Sequence, residues 1–210
     1  MVAAPPGTVK YHHVPMTEYI LAESNVHQHR GRLLEGMARA VAAKGYADTT
    51  IADIVREASV SRRTFYEHFS TKAGCLIALY GAASHNALKV LRQAIDPAHD
   101  WQSQVENANA AYFGALAANP VLLRTLYIEI LGLGAEGLAA RRRVNQEIAD
   151  LIMDVVKDGH GSPLPPQMAM AIVGGINELV LQYIEQDRVA ALLELVGPAS
   201  RMVRAIAAAV

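Results

Sequence analysis

Residues 45–76 decide the fold, and they read GYADTTIADIVREASVSRRTFYEHFSTKAGCL. Thr50 followed three residues later by Asp53 is the pattern of a capping box, which predicts a short helix directly after Thr50. Ser61 has the side chain of a good N-cap and predicts the start of another short helix. Two short helices separated by a tight turn are typical of a helix-turn-helix.

The second of these helices has two distinct faces. Phe65 and Phe69 are four residues apart, so both point to one side, which we expect to be buried. The other face carries side chains that can bond to base edges or phosphate, namely Arg63, Thr64 and Tyr66, together with Glu67. A solvated charged face on an ordinary helix is the alternative interpretation.

Three cations occupy helix N-termini, where positive charge is unfavourable. Arg62 and Arg63 fall in the first turn of the helix after Ser61, and Lys72 falls in the first turn of the next helix. A cation at this end of the helix dipole costs about 0.3–1 kcal/mol. A docked polyanion reverses the sign, because the dipole, the backbone N–H groups and the cations then all attract phosphate. The pattern therefore predicts a DNA-binding surface.

Outward from this stretch, helical periodicity covers most of the 210 residues. Residues 1–22 contain three prolines and predict an arm without a sustained helix. A long helix is expected from about Glu23 to Gly45. Later helices are expected at about 72–94, 101–118 and 121–131. Another helix follows Gly137 and ends at about residue 157, and the last two are expected at about 167–186 and 189–208, with a kink or break at Pro198. Aromatic residues make up only 6%, while Ala and Leu dominate the apolar residues, which favours helix over sheet.

Over about residues 28–76 the sequence resembles the DNA-binding domain of the TetR family of transcriptional repressors. The resemblance is carried by Gly45-Tyr46, Thr49-Thr50, Ile51-Ala52-Asp53-Ile54, Ala58, Val60-Ser61, Thr64-Phe65-Tyr66, His68-Phe69 and Thr71-Lys72. It implies an all-α fold of about nine helices, with an N-terminal three-helix DNA-binding domain and a C-terminal domain for ligand binding and dimerisation. It also implies a repressor that binds an inverted-repeat operator as a homodimer and is released by a small apolar or amphipathic effector. An activator with the same DNA-binding domain is an alternative.

We accordingly divide the chain into an arm (1–22), a helix-turn-helix domain (23–71) and a ligand-binding and dimerisation domain (72–210). The resemblance implies major-groove contacts from Arg62, Arg63 and Thr64. The full set expected at double-stranded DNA, including groups that hold the backbone or cap the turn, is Thr50, Ser61, Arg62, Arg63, Thr64, Tyr66, His68 and Lys72. His68 has an equally good alternative role, which is packing beside the turn.

The C-terminal half has no comparable motif, so its pocket residues are chosen by position and chemistry. Small-molecule sites combine apolar walls with a few polar groups, which suggests a pocket lined by Tyr112, Phe113, Leu116, Tyr127, Glu129, Ile130 and Asn177. Glu129 either anchors a cationic or hydroxylated ligand or pairs with Arg124. The aromatic side chains have packing in the core as their alternative.

Gly174 and Gly175 lie inside an apolar helix, where each glycine costs roughly 1 kcal/mol relative to alanine. Close approach of another helix is the usual compensation. In the TetR family the last two helices form a four-helix dimer interface, so the resemblance implies a homodimer. The interface residues expected here are Gly174, Gly175, Leu179, Leu192, Leu195 and Val203.

The composition limits which other classes of protein this chain can belong to. Hydrophobic residues make up 52%, enough for a sizeable core, and the net charge of −1 argues against wholesale coating of nucleic acid. Cys75 is the single cysteine, so no intrachain disulfide forms, and its apolar neighbours favour a core role over a nucleophile. The sequence has neither a signal-peptide apolar region nor a 20-residue apolar span, so we expect a cytoplasmic protein that does not enter membranes.

Enzyme motifs are absent from the sequence, which has no Gly-Lys-Ser/Thr phosphate loop, His-Glu-x-x-His or Gly-x-Ser-x-Gly. We expect no catalytic residue, no cofactor and no metal, with a helical small-molecule enzyme as the main alternative class. A histidine-rich stretch offers metal ligands at His12, His13, His27 and His29. A solvated arm is the simpler interpretation, because no Cys or carboxylate cluster accompanies them.

Overall fold

The computed structural model describes residues 16–160 and 163–209, with side chains from residue 28 onwards except at 121, 159 and 160. Within these residues the chain forms nine α-helices, two 3₁₀ segments and no strand, which confirms the all-α prediction. The helices are α1 (Met16–Asp48), α2 (Ile51–Ala58), α3 (Arg62–His68), α4 (Lys72–Ala94), α5 (Trp101–Ala117), α6 (Pro120–Tyr127), α7 (Ala135–His160), α8 (Pro166–Glu185) and α9 (Val196–Ala208). The 3₁₀ segments are Glu129–Leu133 and Val189–Leu195.

The first helix begins earlier than the sequence predicted. α1 starts at Met16, so residues 16–22, which we assigned to an arm, are helical. The reason is local, because no proline or glycine follows Pro15 until Gly31. Residues 1–15, with His12 and His13, lie outside the described residues, as does the side chain of His27.

Two further predicted boundaries, the end of α6 and the break near Pro198, can be compared with the structure. α6 ends at Tyr127, four residues before the predicted end, and the chain continues as the 3₁₀ segment Glu129–Leu133. Gly134 ends that segment with a φ of 60°, in the left-handed region that glycine adopts readily. The break expected near Pro198 is confirmed, because residues 189–208 divide into a 3₁₀ segment and α9. Pro198 lies in the first turn of α9, where its missing N–H leaves no helical bond unmade.

The chain buries two main apolar cores. The N-terminal core is formed by α1, α2 and α3, with contributions from α4 such as Leu76. The C-terminal core lies among α5, α7, α8 and α9. α4 reaches both, since Leu76 packs in the first core and Leu91 lines a cavity in the C-terminal body. In the described part of the chain, no helix has both the length and the apolarity needed to cross a lipid bilayer.

Cys75 lies fully buried in the N-terminal core. Burial raises the pKa of its thiol to about 12, so the reactive thiolate is scarce at neutral pH. The core role expected from its apolar neighbours is therefore confirmed.

Candidate DNA-binding surface and effector cavity

The capping box at the start of α2 forms as predicted. The backbone N–H of Asp53 donates to the Thr50 hydroxyl oxygen at 3.2 Å, and the N–H of Thr50 donates to the Asp53 carboxylate at 2.9 Å. Hydrogen bonds from Lys44, the largest cause, and from Thr50 lower the pKa of Asp53 well below its usual range. The Thr50 hydroxyl also donates to Asp53 at 2.6 Å. This carboxylate thus ties the end of α1 to the start of α2.

α3 presents the face expected to meet DNA. The Ser61 hydroxyl caps the helix by accepting from the N–H of Thr64 at 3.0 Å. Phe65 and Phe69 are buried, as the periodicity predicted. Arg62 and Tyr66 are exposed on the outer side, and Arg63 is 90% exposed with its guanidinium 3.1 Å from Glu67.

Lys72 does not stand free at the start of α4. Its ammonium donates to the carbonyl oxygens of Tyr46 and Thr49, both at 2.8 Å, and lies 4.1 Å from the centre of the Tyr46 ring. The expectation that positive charge is unfavourable at this position was therefore wrong for Lys72. The carbonyl groups at the end of α1 supply negative partial charge, and only the fold brings them beside α4. A phosphate contact from Lys72 stays a prediction.

His68 is half-buried at the end of α3, and its ring lies 6.5 Å from that of His29. Burial, with a smaller effect of His29, lowers the pKa of His68. The ring is therefore mainly neutral at pH 7, which supports the packing role. Its N–H groups leave a phosphate contact open as a prediction, because a neutral imidazole still donates one hydrogen bond.

The C-terminal body has a cavity that is partly open to solvent, between α4, α5, α7, α8 and α9. We call it the apolar cavity, and its walls are mainly Leu, Ile and Val side chains with the polar residues Asn109, Tyr112 and Asn177. Both amides already have partners, because Asn109 donates to Ser200 at 3.0 Å and Asn177 donates to Asn145 at 3.3 Å.

A second cavity of about 440 Å³ adjoins the first and shares Tyr112, Ile148 and Asn177 with it. We call it the polar cavity, because its walls also include the polar side chains Tyr80, Ser84, Tyr127, Arg141 and Asn145. The hydroxyl groups of Tyr112 and Tyr127 are 3.0 Å apart. The two cavities together offer an apolar end and a hydrogen-bonding end.

Four of the seven predicted pocket residues line these cavities: Tyr112, Leu116, Tyr127 and Asn177. Phe113 is instead packed in the C-terminal core, and Ile130 packs beside Tyr80 and Ala140. Both were assigned wrongly to the pocket, because the position of a residue along a helix does not show whether its side chain meets a cavity or the packed core.

Glu129 was also assigned wrongly. One carboxylate oxygen accepts from the backbone N–H of Tyr46 at 3.0 Å, and the other lies 3.1 Å from the guanidinium of Arg124. The ion pair with Arg124 was the alternative that the sequence left open, whereas the bond to Tyr46 spans 83 residues and had no sequence signal. Glu129 therefore links the C-terminal body to the DNA-binding domain.

The sequence analysis missed Arg141, together with Tyr80, Ser84 and Asn145. Arg141 belongs to a run of three arginines, and successive residues of a helix point about 100° apart. Only Arg141 of the three is half-buried and lines the polar cavity, while Arg142 and Arg143 are exposed. The run itself gives no signal that one member points inward.

Three of the six predicted dimer residues face the interior of their own chain. Leu192, Leu195 and Val203 are almost fully buried in the C-terminal core, so they offer no surface to a partner. Leu179 packs partly against the same core. The apolar stripe was assigned to the wrong contact, since an intrachain core and a dimer interface need the same residue types.

The two glycines of α8 differ. A Cβ atom on Gly175 would meet the Met202 side chain of α9 at 3.0 Å, so this glycine serves a close contact within the chain. Gly174 is exposed, and nothing described lies within 4 Å of its would-be Cβ. Of the pair, Gly174 is the more exposed and the one with open space at its Cβ position.

Residues 33–79, from α1 into the first half of α4, match the family model described as "Bacterial regulatory proteins, tetR family". This segment is therefore similar to the tetR family of bacterial regulatory proteins. The match covers the capping box, the helix-turn-helix and the buried aromatic pair, so the resemblance noted in the sequence is confirmed.

Solved structures share the fold of this chain at low sequence identity. FadR of Bacillus halodurans, a fatty acid degradation regulator, is 20% identical with a TM-score of 0.75, over 83% of this chain and 94% of that one. FadR of Bacillus subtilis, solved in complex with stearoyl-CoA, is 16% identical with a TM-score of 0.73, over 82% and 96%. A tetR-family protein of Rhodococcus RHA1 is 22% identical with a TM-score of 0.67, over 83% and 96%. Among curated protein sequences, none matches this chain.

Proposed function

We propose that this chain is a TetR-family repressor that binds an inverted-repeat operator as a homodimer and is released by an amphipathic effector. The observation that carries the proposal is the pair of adjacent cavities in the C-terminal body, one apolar and one polar, which share lining residues. The similar fold of FadR, solved with stearoyl-CoA, supports a ligand with a long apolar chain. We keep residues 23–71 as the DNA-binding domain and 72–210 as the effector and dimer domain.

DNA binding is supported by the N-terminus of α3. Arg62 and Arg63 lie at the positive end of that helix without a buried structural role, and Tyr66 is exposed beside them. Phosphate and base edges are the partners that satisfy this arrangement. We expect Thr64 and the capping Ser61 to complete the face toward the groove, and Thr50, His68 and Lys72 to contact the DNA backbone.

Replacing Arg62 or Arg63 by alanine is expected to lower operator affinity by about 1–3 kcal/mol each, because each side chain supplies one contact to a base or phosphate. Fluorescence anisotropy on a labelled operator measures the change. Glu67→Gln frees Arg63 from its partner and is expected to raise affinity. Arg142→Ala, an exposed arginine on α7, is the matched control. Equal affinity in all four variants and the parent chain would contradict the assignment.

A homodimer is supported by the geometry of operators. One α3 reads only a few base pairs, and two must lie about 34–36 Å apart to enter successive major grooves. The outer side of α8 carries small or apolar exposed groups at Met168, Ala171 and Gly174, and α9 adds Pro198 and Ala205. Such a surface lets helices of two chains approach closely.

Gly174→Leu is therefore expected to weaken the dimer and lower operator affinity together, since its side chain would project from α8 into the partner. Sedimentation velocity across micromolar concentrations measures the dimer population. Gly81→Leu, at an exposed α4 position with nothing within 4 Å, is the matched control. An unaltered dimer, or a parent chain that binds its operator tightly as a monomer, would show that this face is not the interface.

Effector response is supported by a short path between the cavities and the DNA-binding domain. Tyr127 lines the polar cavity and ends α6, and Glu129 follows two residues later. Glu129 holds the N–H of Tyr46, beside Gly45, whose φ of 79° interrupts α1. A ligand that displaces Tyr127 thus acts on the junction through which α1 positions the helix-turn-helix.

The test of the proposed function is a joint measurement of ligand binding and operator release. A long-chain ligand is expected to raise the melting temperature and to lower operator affinity, and to be recovered chemically unchanged. Ligands that stabilise the chain but leave operator affinity unaltered would exclude the coupling. Turnover of the ligand would instead support the enzyme alternative. Transcription from an operator-bearing promoter separates repression from activation.

A further inference from the structure

Arg141 is a cation in the wall of the polar cavity, which is partly open to solvent. It lies on α7, is half-buried, and lines this cavity together with Tyr80 and Tyr127. The neighbouring Arg142 and Arg143 are exposed on the same helix. The structure therefore directs one guanidinium of three inward.

This guanidinium has no counter-charge in the part of the chain that the structure describes. No described Asp or Glu oxygen lies within 4.0 Å of it, and none of the described hydrogen bonds uses it as a donor. The other titratable groups of the polar cavity are Tyr80, Tyr112 and Tyr127. Burial raises the pKa of Tyr80 to about 12 and that of the other two as well, so all three are neutral at pH 7.

A partly desolvated cation without an anion is unfavourable, and the fold tolerates it where a ligand supplies the missing charge. The planar guanidinium donates two parallel hydrogen bonds, which match the two oxygens of a carboxylate. The surrounding hydroxyl and amide groups of Ser84 and Asn145 complete a hydrogen-bonding end for such a group. A single interior cation suits one negative charge rather than several phosphates.

The apolar cavity lies next to the polar cavity and shares part of its wall. Tyr112, Ile148 and Asn177 belong to both, and beyond them the walls are aliphatic, for example Val105, Val155 and Ile176. A ligand that fills both must carry its charge at one end and a hydrocarbon chain at the other.

We propose that the effector is an unesterified long-chain carboxylic acid, with its carboxylate bound by Arg141 and its chain in the apolar cavity. The inference rests on the proposed effector site and specifies the chemistry of its ligand. It differs from a coenzyme A thioester, in which the carbonyl carries no charge and the phosphates need cations outside the cavity. The open groove next to the polar cavity offers Arg143 but also Glu147, which repels phosphate.

The experiment uses the full chain and three probes with one chain length: dodecanoic acid, methyl dodecanoate and dodecanoyl-CoA. Titration calorimetry below the micellar concentration gives the Kd of each. The parent chain is expected to bind the acid at least tenfold more tightly than the ester. Arg141→Gln is expected to remove that preference by weakening acid binding tenfold or more while sparing the ester, and Arg141→Lys to restore part of it. Arg142→Gln, one residue away and exposed, is expected to behave like the parent chain.

Thermal unfolding without ligand provides a second readout. Because the cation is unpaired, Arg141→Gln is expected to keep or raise the melting temperature, whereas removal of a structural ion pair would lower it. Equal binding of acid and ester, or acid binding that survives Arg141→Gln, overturns the carboxylate assignment and leaves an apolar effector site intact. Tighter binding of dodecanoyl-CoA than of the acid also overturns it, in favour of a thioester. If none of the three probes binds, the proposed effector function itself is contradicted.

Discussion

Gly36→Ala is expected to destabilise the DNA-binding domain by about 1–3 kcal/mol and to remove operator binding with it. A Cβ atom at this position would lie 2.7 Å from the carbonyl oxygen of Ile54 and 2.9 Å from the backbone nitrogen of Ala58. Both are backbone atoms of α2, so no side-chain rotation relieves the clash. α2 would have to move away from α1, and Ile54, fully buried between them, would lose its packing.

The matched control is Gly31→Ala in the same helix. Nothing described lies within 4 Å of a Cβ on Gly31, so only the helix propensity changes, and the expected effect is a gain of roughly 1 kcal/mol. Chemical denaturation of both variants gives the two free energies of unfolding, and anisotropy gives operator affinity. If the two alanine substitutions shift the free energy of unfolding in the same direction, Gly36 is not needed for the close approach of α1 and α2.

Glu129→Ala is expected to separate ligand binding from operator release. The substitution leaves the N–H of Tyr46 without its acceptor, which costs about 1–3 kcal/mol for a buried group. It leaves the cavity walls intact, because Glu129 lines neither cavity. The ligand should therefore bind with nearly the parent affinity, while its effect on operator affinity should fall severalfold or vanish.

The control for this prediction is Arg124→Ala. It removes the other partner of Glu129, an ion pair whose arginine is 60% exposed, and preserves the bond to Tyr46. Exposed ion pairs contribute only about 0–1 kcal/mol, so stability and response should be close to those of the parent chain. Ligand titrations repeated at several operator concentrations measure the coupling. An unreduced response in Glu129→Ala would mean that the signal takes another route to α1.

The parts of the site that sequence alone predicted are those made by residues close together in the chain. Thr50 and Asp53 are three residues apart, and Phe65 and Phe69 are four apart, so helix geometry determines their relation before any tertiary contact forms. The same holds for the cap at Ser61 and the helix end at Gly45. Because the helix-turn-helix is built almost entirely from such relations, its fold and its outer face followed from the sequence, including the family resemblance.

What the tertiary structure decided is the set of contacts between residues far apart in the chain. Lys72 meets the carbonyls of α1 and Glu129 meets the N–H of Tyr46 only after the helices have packed. The sequence showed that Leu192 and Val203 are apolar, but not whether they face their own core or a second chain. Removing apolar surface from water is favourable in both places. For Arg141 the rotation of α7 against α4 and α5 determines which of three arginines points inward. Helical periodicity determines which residues share a face, and only the packing of several helices determines what that face meets.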